Sequence, residues 1–135
     1  MAPQQFSVDE AESLLPRLTI LVQQTQERKR EHDRLRDKVL ELEGKMRSDG
    51  HLAEAGLRQA RQETAEAAAQ VSALIEEVQA LGCELKDINE GLVDFRTTMD
   101  GREVYLCWKI GEPGIAWWHE LEAGFRGRQP LAGRS

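Results

Sequence analysis

The spacing of apolar positions predicts two long helices in the first 82 residues. In each helix these positions follow alternating steps of four and three residues, which is the pattern of a coiled-coil seam. The first seam consists of Leu14, Leu18, Leu21, Thr25, Arg28, His32, Leu35, Val39, Leu42 and Met46. The second consists of Leu57, Ala60, Thr64, Ala67, Val71, Leu74, Val78 and Leu81, and Gly82 ends it.

The ends of these helices are marked by capping and turn residues. Ser7 and Glu10 have the spacing of a capping box, in which each side chain bonds the backbone N–H of the other. Pro16 removes one backbone hydrogen bond, so we expect a kink or a separate short helix before it. We predict helices over about residues 7–47 and 52–81, antiparallel because the Asp49-Gly50 turn joining them is short.

Residues 83–110 lose the helical period and predict three strands, over 83–88, 92–98 and 103–110. A two-residue loop at Asp100-Gly101 pairs Phe95 with Leu106 and Asp94 with Cys107. A three-residue loop at 89–91 pairs Leu85 with Phe95, Lys86 with Asp94 and Glu84 with Arg96. Both loops give the same division into an apolar face and a charged face. Only Asp87 falls on the wrong face, among the apolar residues.

The segment 113–123 predicts a short helix that starts near Pro113 and ends before Gly124. In a helix, Ile115, Trp117, Trp118 and Leu121 would form one apolar arc, with Glu122 inside the arc and His119 on its margin. The basic stretch that follows is interpreted as a solvated tail or as an anion-binding patch.

The predicted fold class is therefore mostly α with a small β part (α+β). It combines a long antiparallel two-helix coiled-coil hairpin (1–82) with a base (83–135) made of a three-stranded antiparallel meander and a short C-terminal helix. We expect the base to pack on the foot of the hairpin as one domain, covering apolar residues outside the seam.

Composition narrows the possible functions. The chain of 135 residues has a formal net charge of −6, which argues against general binding to nucleic acid or to an anionic membrane. No apolar run has the length of a signal peptide or a transmembrane helix, so we predict a cytoplasmic protein. In that setting, the two cysteines are expected to be free thiols.

The polar residues of the base suggest three kinds of site. A structural zinc site needs four Cys or His ligands, which this chain does not bring together. A Cys107–His119 nucleophile pair requires the C-terminal helix to cover the charged face, whereas its tryptophans favour the apolar face. A mixed carboxylate–histidine site for Zn, Mn or Fe is the third candidate. It would use Asp87, His119 and Glu122, with Glu10 or Glu12 as additional ligands. The alternative is a hydrogen-bonded polar cluster that holds no metal.

Four segments of the chain resemble a known family: "FSVDEAESLLPRL", "KDINEGLVDF", "EVYLCWKIGE" and "WWHELEAGFRGRQPL". Together they are similar to the domain-of-unknown-function family 2203, a mainly bacterial group, over almost the whole chain. The family usually has a proline after "GLVDF", where this chain has Arg96. The resemblance implies no activity. It adds Asp94, Cys107, Glu112 and Arg128 to the candidate site residues, since these match letters of the family motifs.

Two functions remain open on the sequence alone. The favoured one is a non-enzymatic interaction or scaffold module that uses the hairpin to bind a protein partner or a second copy of the chain. The other is a metal-binding protein or a metal-dependent enzyme. Half of the chain forms the helical arm, and this is the main reason for the preference.

Overall fold

The structure, a computed structural model, describes residues 4–47 and 50–131. The described chain divides into two compact units, to which both long helices contribute. The sheet unit comprises the described parts of Met1–Gln23 and Ile75–Ser135, and the helical unit lies within Gln24–Leu74. None of the helices in the described part of the chain is long and apolar enough to cross a membrane.

The first helix begins where the capping pattern predicts. Helix α1 covers Val8–Ser13, helix α2 covers Leu15–Met46 and helix α3 covers Gly50–Ala80. The Ser7 hydroxyl accepts the Glu10 N–H, and the Glu10 carboxylate accepts the Ser7 N–H, which confirms the capping box. The break between α1 and α2 confirms the separate short helix expected before Pro16. Asp49, in the predicted turn, lies outside the described residues.

Helices α2 and α3 pack together in antiparallel fashion. In the helical unit, Arg61 of α3 forms an ion pair with Glu43 of α2 at 3.1 Å. In the sheet unit, Arg17 reaches Glu77 at 3.6 Å. Within the seam of α2, Arg28 is exposed and His32 is half-buried. The coiled-coil geometry itself stays a prediction.

An antiparallel sheet of five strands follows, in the order β1-β2-β3-β4-β5. The strands are β1 (Glu84–Asp87), β2 (Leu92–Met99), β3 (Arg102–Lys109), β4 (Trp117–Glu120) and β5 (Gln129–Pro130). A 3-10 turn at Phe125–Gly127 lies between β4 and β5. The α+β class is confirmed, but the meander is larger than the three strands expected.

The β2–β3 hairpin has the predicted register, with Asp94 opposite Cys107 and Phe95 opposite Leu106. Asp100 and Gly101 both have positive φ, as a tight two-residue hairpin loop requires. In β1 the predicted register is wrong by two residues, because Leu85 pairs with Val93 rather than with Phe95. A slip of two residues leaves Glu84 and Leu85 on their predicted faces.

A bulge between Leu85 and Asp87 accounts for the residue that did not fit the predicted pattern. It turns Asp87 out to solvent, where the carboxylate accepts the Glu90 N–H at 2.9 Å. The predicted charge pairs still form, although their residues are not directly opposite each other in the sheet. Lys86 lies 4.0 Å from Asp94, and Arg96 lies 3.5 Å from Glu84.

The predicted C-terminal helix over 113–123 is wrong. Residues 110–116 form a turn and an irregular connection that includes Gly111 at φ 96°, and the chain then enters β4 beside β3. Without β4, the second edge of β3 would keep unpaired backbone groups. Tryptophan also favours strands, so Trp117 and Trp118 fit β4 as well as they fit a helix.

Residues of β2, β3 and β4 give the sheet two different faces. The side chains of the apolar face are buried in the core of the sheet unit. Buried residues of α2 and α3 belong to the same unit. The members of the apolar face in the three strands are Val93, Phe95, Val104, Leu106, Trp108 and Trp118. The polar face carries Asp94, Tyr105, Cys107, Trp117 and His119.

Candidate metal centre

The polar face brings three potential metal ligands together. Asp94 on β2 is directly opposite Cys107 on β3, and His119 on β4 is opposite Tyr105, two residues before Cys107. The alternation of side chains along a strand therefore points all three residues the same way. One ligand atom of each lies within 4.8 Å of the others, and all three residues are buried.

Hydrogen bonds fix the orientation of the His119 ring. Its Nδ1 lies 2.7 Å from the Glu120 carbonyl oxygen, and its Nε2 lies 3.0 Å from Asp94 Oδ2. A carbonyl oxygen can only accept, so we assign the proton to Nδ1. When the ring is neutral, the lone pair of Nε2 then faces Asp94.

Asp94 is a buried carboxyl group with an incomplete set of partners. Its side chain is 5% exposed, and its Oδ1 has no hydrogen-bond partner at normal donor–acceptor geometry among the described residues. Burial raises the pKa of Asp94, although the nearby His119, the Cys107 thiol and Lys86 all act in the opposite direction. A neutral Asp94 carboxyl can donate its proton to His119 Nε2.

The surroundings of Cys107 disfavour the thiolate form of its side chain. Burial, with the negative charge of Asp94, raises the pKa of Cys107 to about 12. The thiolate is the nucleophilic form, so a thiol that stays protonated argues against nucleophilic catalysis. The sequence predicts that Cys107 and His119 lie apart unless the C-terminal helix covers the charged face. They meet because β4 is a strand that pairs directly with β3.

A small pocket of about 100 Å³ opens next to the three residues. Lys86 contributes a cationic side chain to the lining of this pocket. A glycine and apolar side chains also line it. The lining residues are Lys86, Leu92, Asp94, Cys107, His119, Leu121, Gly124 and Phe125.

Glu112 and Arg128 form a second polar group on the same face. Arg128 donates to both carboxylate oxygens of Glu112, at 2.7 and 2.9 Å, and to the Cys107 carbonyl oxygen at 3.3 Å. Its guanidinium also lies near the rings of Trp117 and Phe125. Arg128 thus ties the 3-10 turn to β3, close to the cluster. This part of the basic stretch is folded, whereas residues 132–135 lie outside the described residues.

The other ligands suggested by the sequence are placed elsewhere. Among the described residues, the three-ligand cluster includes His119 but neither Asp87 nor Glu122. Asp87 lies in the β1–β2 turn, and Glu122 is exposed beside Glu103 and Glu120. Glu10 is used in the capping box.

Glu12 also has a structural contact. Its carboxylate accepts the Ile115 N–H at 2.9 Å, and a side chain at Gly114 would overlap it. This contact ties α1 to the connection that leads into β4.

Part of this cluster is predicted by the sequence. The hairpin register placed Asp94 beside Cys107, and the family motif letters included both residues together with His119. The missing step was the assignment of β4, since a helix at 113–123 sends His119 toward Asp87 and Glu122.

The chain was also compared with proteins of known sequence and structure. Neither the curated proteins nor the solved structures contain a match to it. The sequence profile of a family described as "Uncharacterized conserved protein (DUF2203)" matches residues 4–131, nearly the whole chain. The chain therefore belongs to the DUF2203 family.

Proposed function

We propose that this protein binds a divalent transition metal through Asp94, Cys107 and His119. The observation that supports the proposal most strongly is the convergence of a carboxylate, a thiol and an imidazole within 4.8 Å on three neighbouring strands. Strands hold side chains more precisely than loops do, which favours a site with fixed geometry.

The donor set favours zinc over the other metals considered. A thiolate prefers zinc and other softer ions to Mn²⁺, while imidazole and carboxylate also bind zinc well. Of the Zn, Mn and Fe suggested by the sequence, Mn²⁺ is therefore the poorest fit. Three protein ligands leave a fourth position open, as in zinc sites that bind water or a substrate.

The surroundings of the cluster support the same proposal. Ligating histidines usually donate their second ring N–H to a carbonyl or carboxylate, as His119 Nδ1 does to Glu120. Asp94 Oδ1 is an acceptor that a cation could satisfy. The competing interpretation is a polar cluster without metal, in which the Asp94–His119 hydrogen bond is sufficient and Oδ1 stays without a partner.

Metal binding at this site must release protons. The pKa of Asp94 is raised and that of Cys107 lies at about 12, so the metal must displace a proton from the thiol at neutral pH. The apparent affinity for zinc is therefore expected to rise with pH.

Cobalt loading of tag-free protein tests the proposal. Wild type should take up Co²⁺ and show the charge-transfer absorption of a thiolate–cobalt bond, and zinc should displace the cobalt. Cys107→Ser should lose that absorption, whereas Cys83→Ser should keep it, because Cys83 is also buried but instead donates to the Val78 carbonyl oxygen. A spectrum that lacks this absorption in the wild type, or that Cys107→Ser leaves unchanged, contradicts the proposal.

Asp87 and Glu122 provide a further control. The sequence suggested both as ligands with His119, whereas the geometry favours Asp94 and Cys107. Asp87→Ala and Glu122→Ala should therefore bind cobalt as the wild type does. Loss of binding in either variant would favour the ligand set suggested by the sequence.

A second proposal concerns the helical unit, which would act as a cytoplasmic interaction module for a protein partner or a second copy of the chain. The supporting observation is Leu40 on α2, a large apolar side chain that is 60% exposed in an otherwise charged surface. Mass measurement in solution, with affinity capture, tests this proposal. A strictly monomeric protein that captures no partner would contradict it.

A further inference from the structure

The pocket beside the proposed metal centre has the charge and size for a small anionic ligand. It shares Asp94, Cys107 and His119 with the cluster, so a ligand in the pocket would face the open metal position. Its volume of about 100 Å³ corresponds to roughly three water molecules. A short ligand fits such a space, whereas an aromatic ring would extend beyond it.

The charges of the loaded site leave a net positive charge in the pocket. One thiolate and one carboxylate together balance a divalent ion, and the neutral His119 adds no charge. Lys86 lies 4.0 Å from Asp94 Oδ2 and lines the pocket, so it adds a positive charge there. Its other ion pair, with Glu84 at 3.5 Å, is exposed and therefore weak.

The apolar part of the pocket lining favours anions that carry an apolar group. Leu92, Leu121 and Phe125 add apolar surface to the lining of the pocket. An inorganic anion gains nothing from that surface, whereas the methyl or ethyl group of a short carboxylate would be buried against it.

We infer that the site takes a short-chain carboxylate, which binds the metal with one oxygen and Lys86 with the other. This inference rests on the proposed metal centre. It assigns Lys86 the role of recognising the ligand rather than holding the metal.

The test uses full-length protein loaded with Co²⁺ at neutral pH and titrated with acetate, propionate or benzoate, at an ionic strength kept constant with sodium chloride. Acetate and propionate should change the visible cobalt spectrum saturably, and benzoate should do so only at higher concentrations. Lys86→Gln should keep its cobalt but bind acetate more weakly by about tenfold or more, since a charge-assisted hydrogen bond is lost. Lys29→Gln, a lysine of the helical unit paired with Asp33, should behave as wild type.

The possible failures are distinguishable. If cobalt binds but neither carboxylate changes its spectrum, the inference is overturned while the metal centre stands. Equal acetate affinity in wild type and Lys86→Gln also overturns it, because Lys86 then plays no part. If cobalt does not bind at all, the metal stoichiometry alone shows that the proposed function has failed, and the inference fails with it.

Discussion

The buried residues on the two faces of the sheet are stabilised differently. On the apolar face, Phe95 and Trp108 gain free energy simply by leaving water. On the polar face, Asp94 and His119 lose hydration, and the hydrogen bonds of the His119 ring to Asp94 and to the Glu120 carbonyl oxygen recover part of the cost. Asp94 Oδ1 has no hydrogen-bond partner among the described residues. Packing therefore explains the first face, whereas the second retains an unexplained cost. That difference makes the polar face the place to look for function.

The largest effect is expected on the apolar face. Phe95→Ala removes a fully buried ring that contacts Phe6 edge-on, and should lower the free energy of unfolding by about 3–5 kcal/mol. Urea denaturation measures the change. Ile20→Ala, at a side chain that is 48% exposed, serves as the control and should change stability little. Equal effects in the two variants would contradict the account of the core.

A metal ion should stabilise the fold through the polar face. At a free zinc concentration one hundred times the dissociation constant, the free energy of unfolding should rise by about 2.7 kcal/mol. His119→Ala should abolish this gain, because it removes the imidazole ligand. Thermal unfolding with and without zinc measures the gain. A zinc-dependent shift that persists in His119→Ala would place the metal elsewhere.

Replacing each cysteine by serine compares the stability of an apolar and a polar environment. Cys83→Ser replaces a buried thiol by a hydroxyl that has the Val78 carbonyl oxygen as an acceptor, and should cost about 1–3 kcal/mol of stability. Cys107→Ser should cost less in the metal-free protein, since the new hydroxyl lies opposite Asp94. Urea denaturation of the two variants in a chelator gives the comparison. A larger cost at Cys107 would mean that its thiol is mainly a packing group.

The smallest effect concerns pH. Because the pKa of Asp94 is raised above its ordinary value of 3.8, the folded protein holds this proton more tightly than the unfolded chain does. The resulting stabilisation is fully present below the ordinary pKa and is lost as the pH rises through the raised value. Asp94→Asn cannot titrate and should lack this part of the decline. Unfolding curves from acidic to neutral pH measure it, and parallel profiles for the two proteins would contradict the assignment.

The sequence predicted the β2–β3 hairpin well because a two-residue loop with positive φ fixes the register of both strands. The β1 register was less determined, since the bulge at Asp87 adds a residue that no local pattern announces.

The sequence predicts the Asp94–Cys107–His119 cluster only in part. The hairpin register places Asp94 opposite Cys107, whereas the predicted helix sends His119 toward Asp87 and Glu122 instead. The apolar residues of 115–121 fit a helical period. The segment 117–120 nevertheless forms a strand, because it pairs with the backbone groups on the second edge of β3. This pairing is a tertiary effect, which local periodicity does not contain.

Elemental analysis of tag-free protein grown with added zinc tests the central claim most directly. The account predicts a stoichiometric content of zinc in the wild type, close to none in His119→Ala, and an unchanged content in Asp87→Ala. A wild type that carries no stoichiometric metal, or a His119→Ala variant with the same content as wild type, would contradict it.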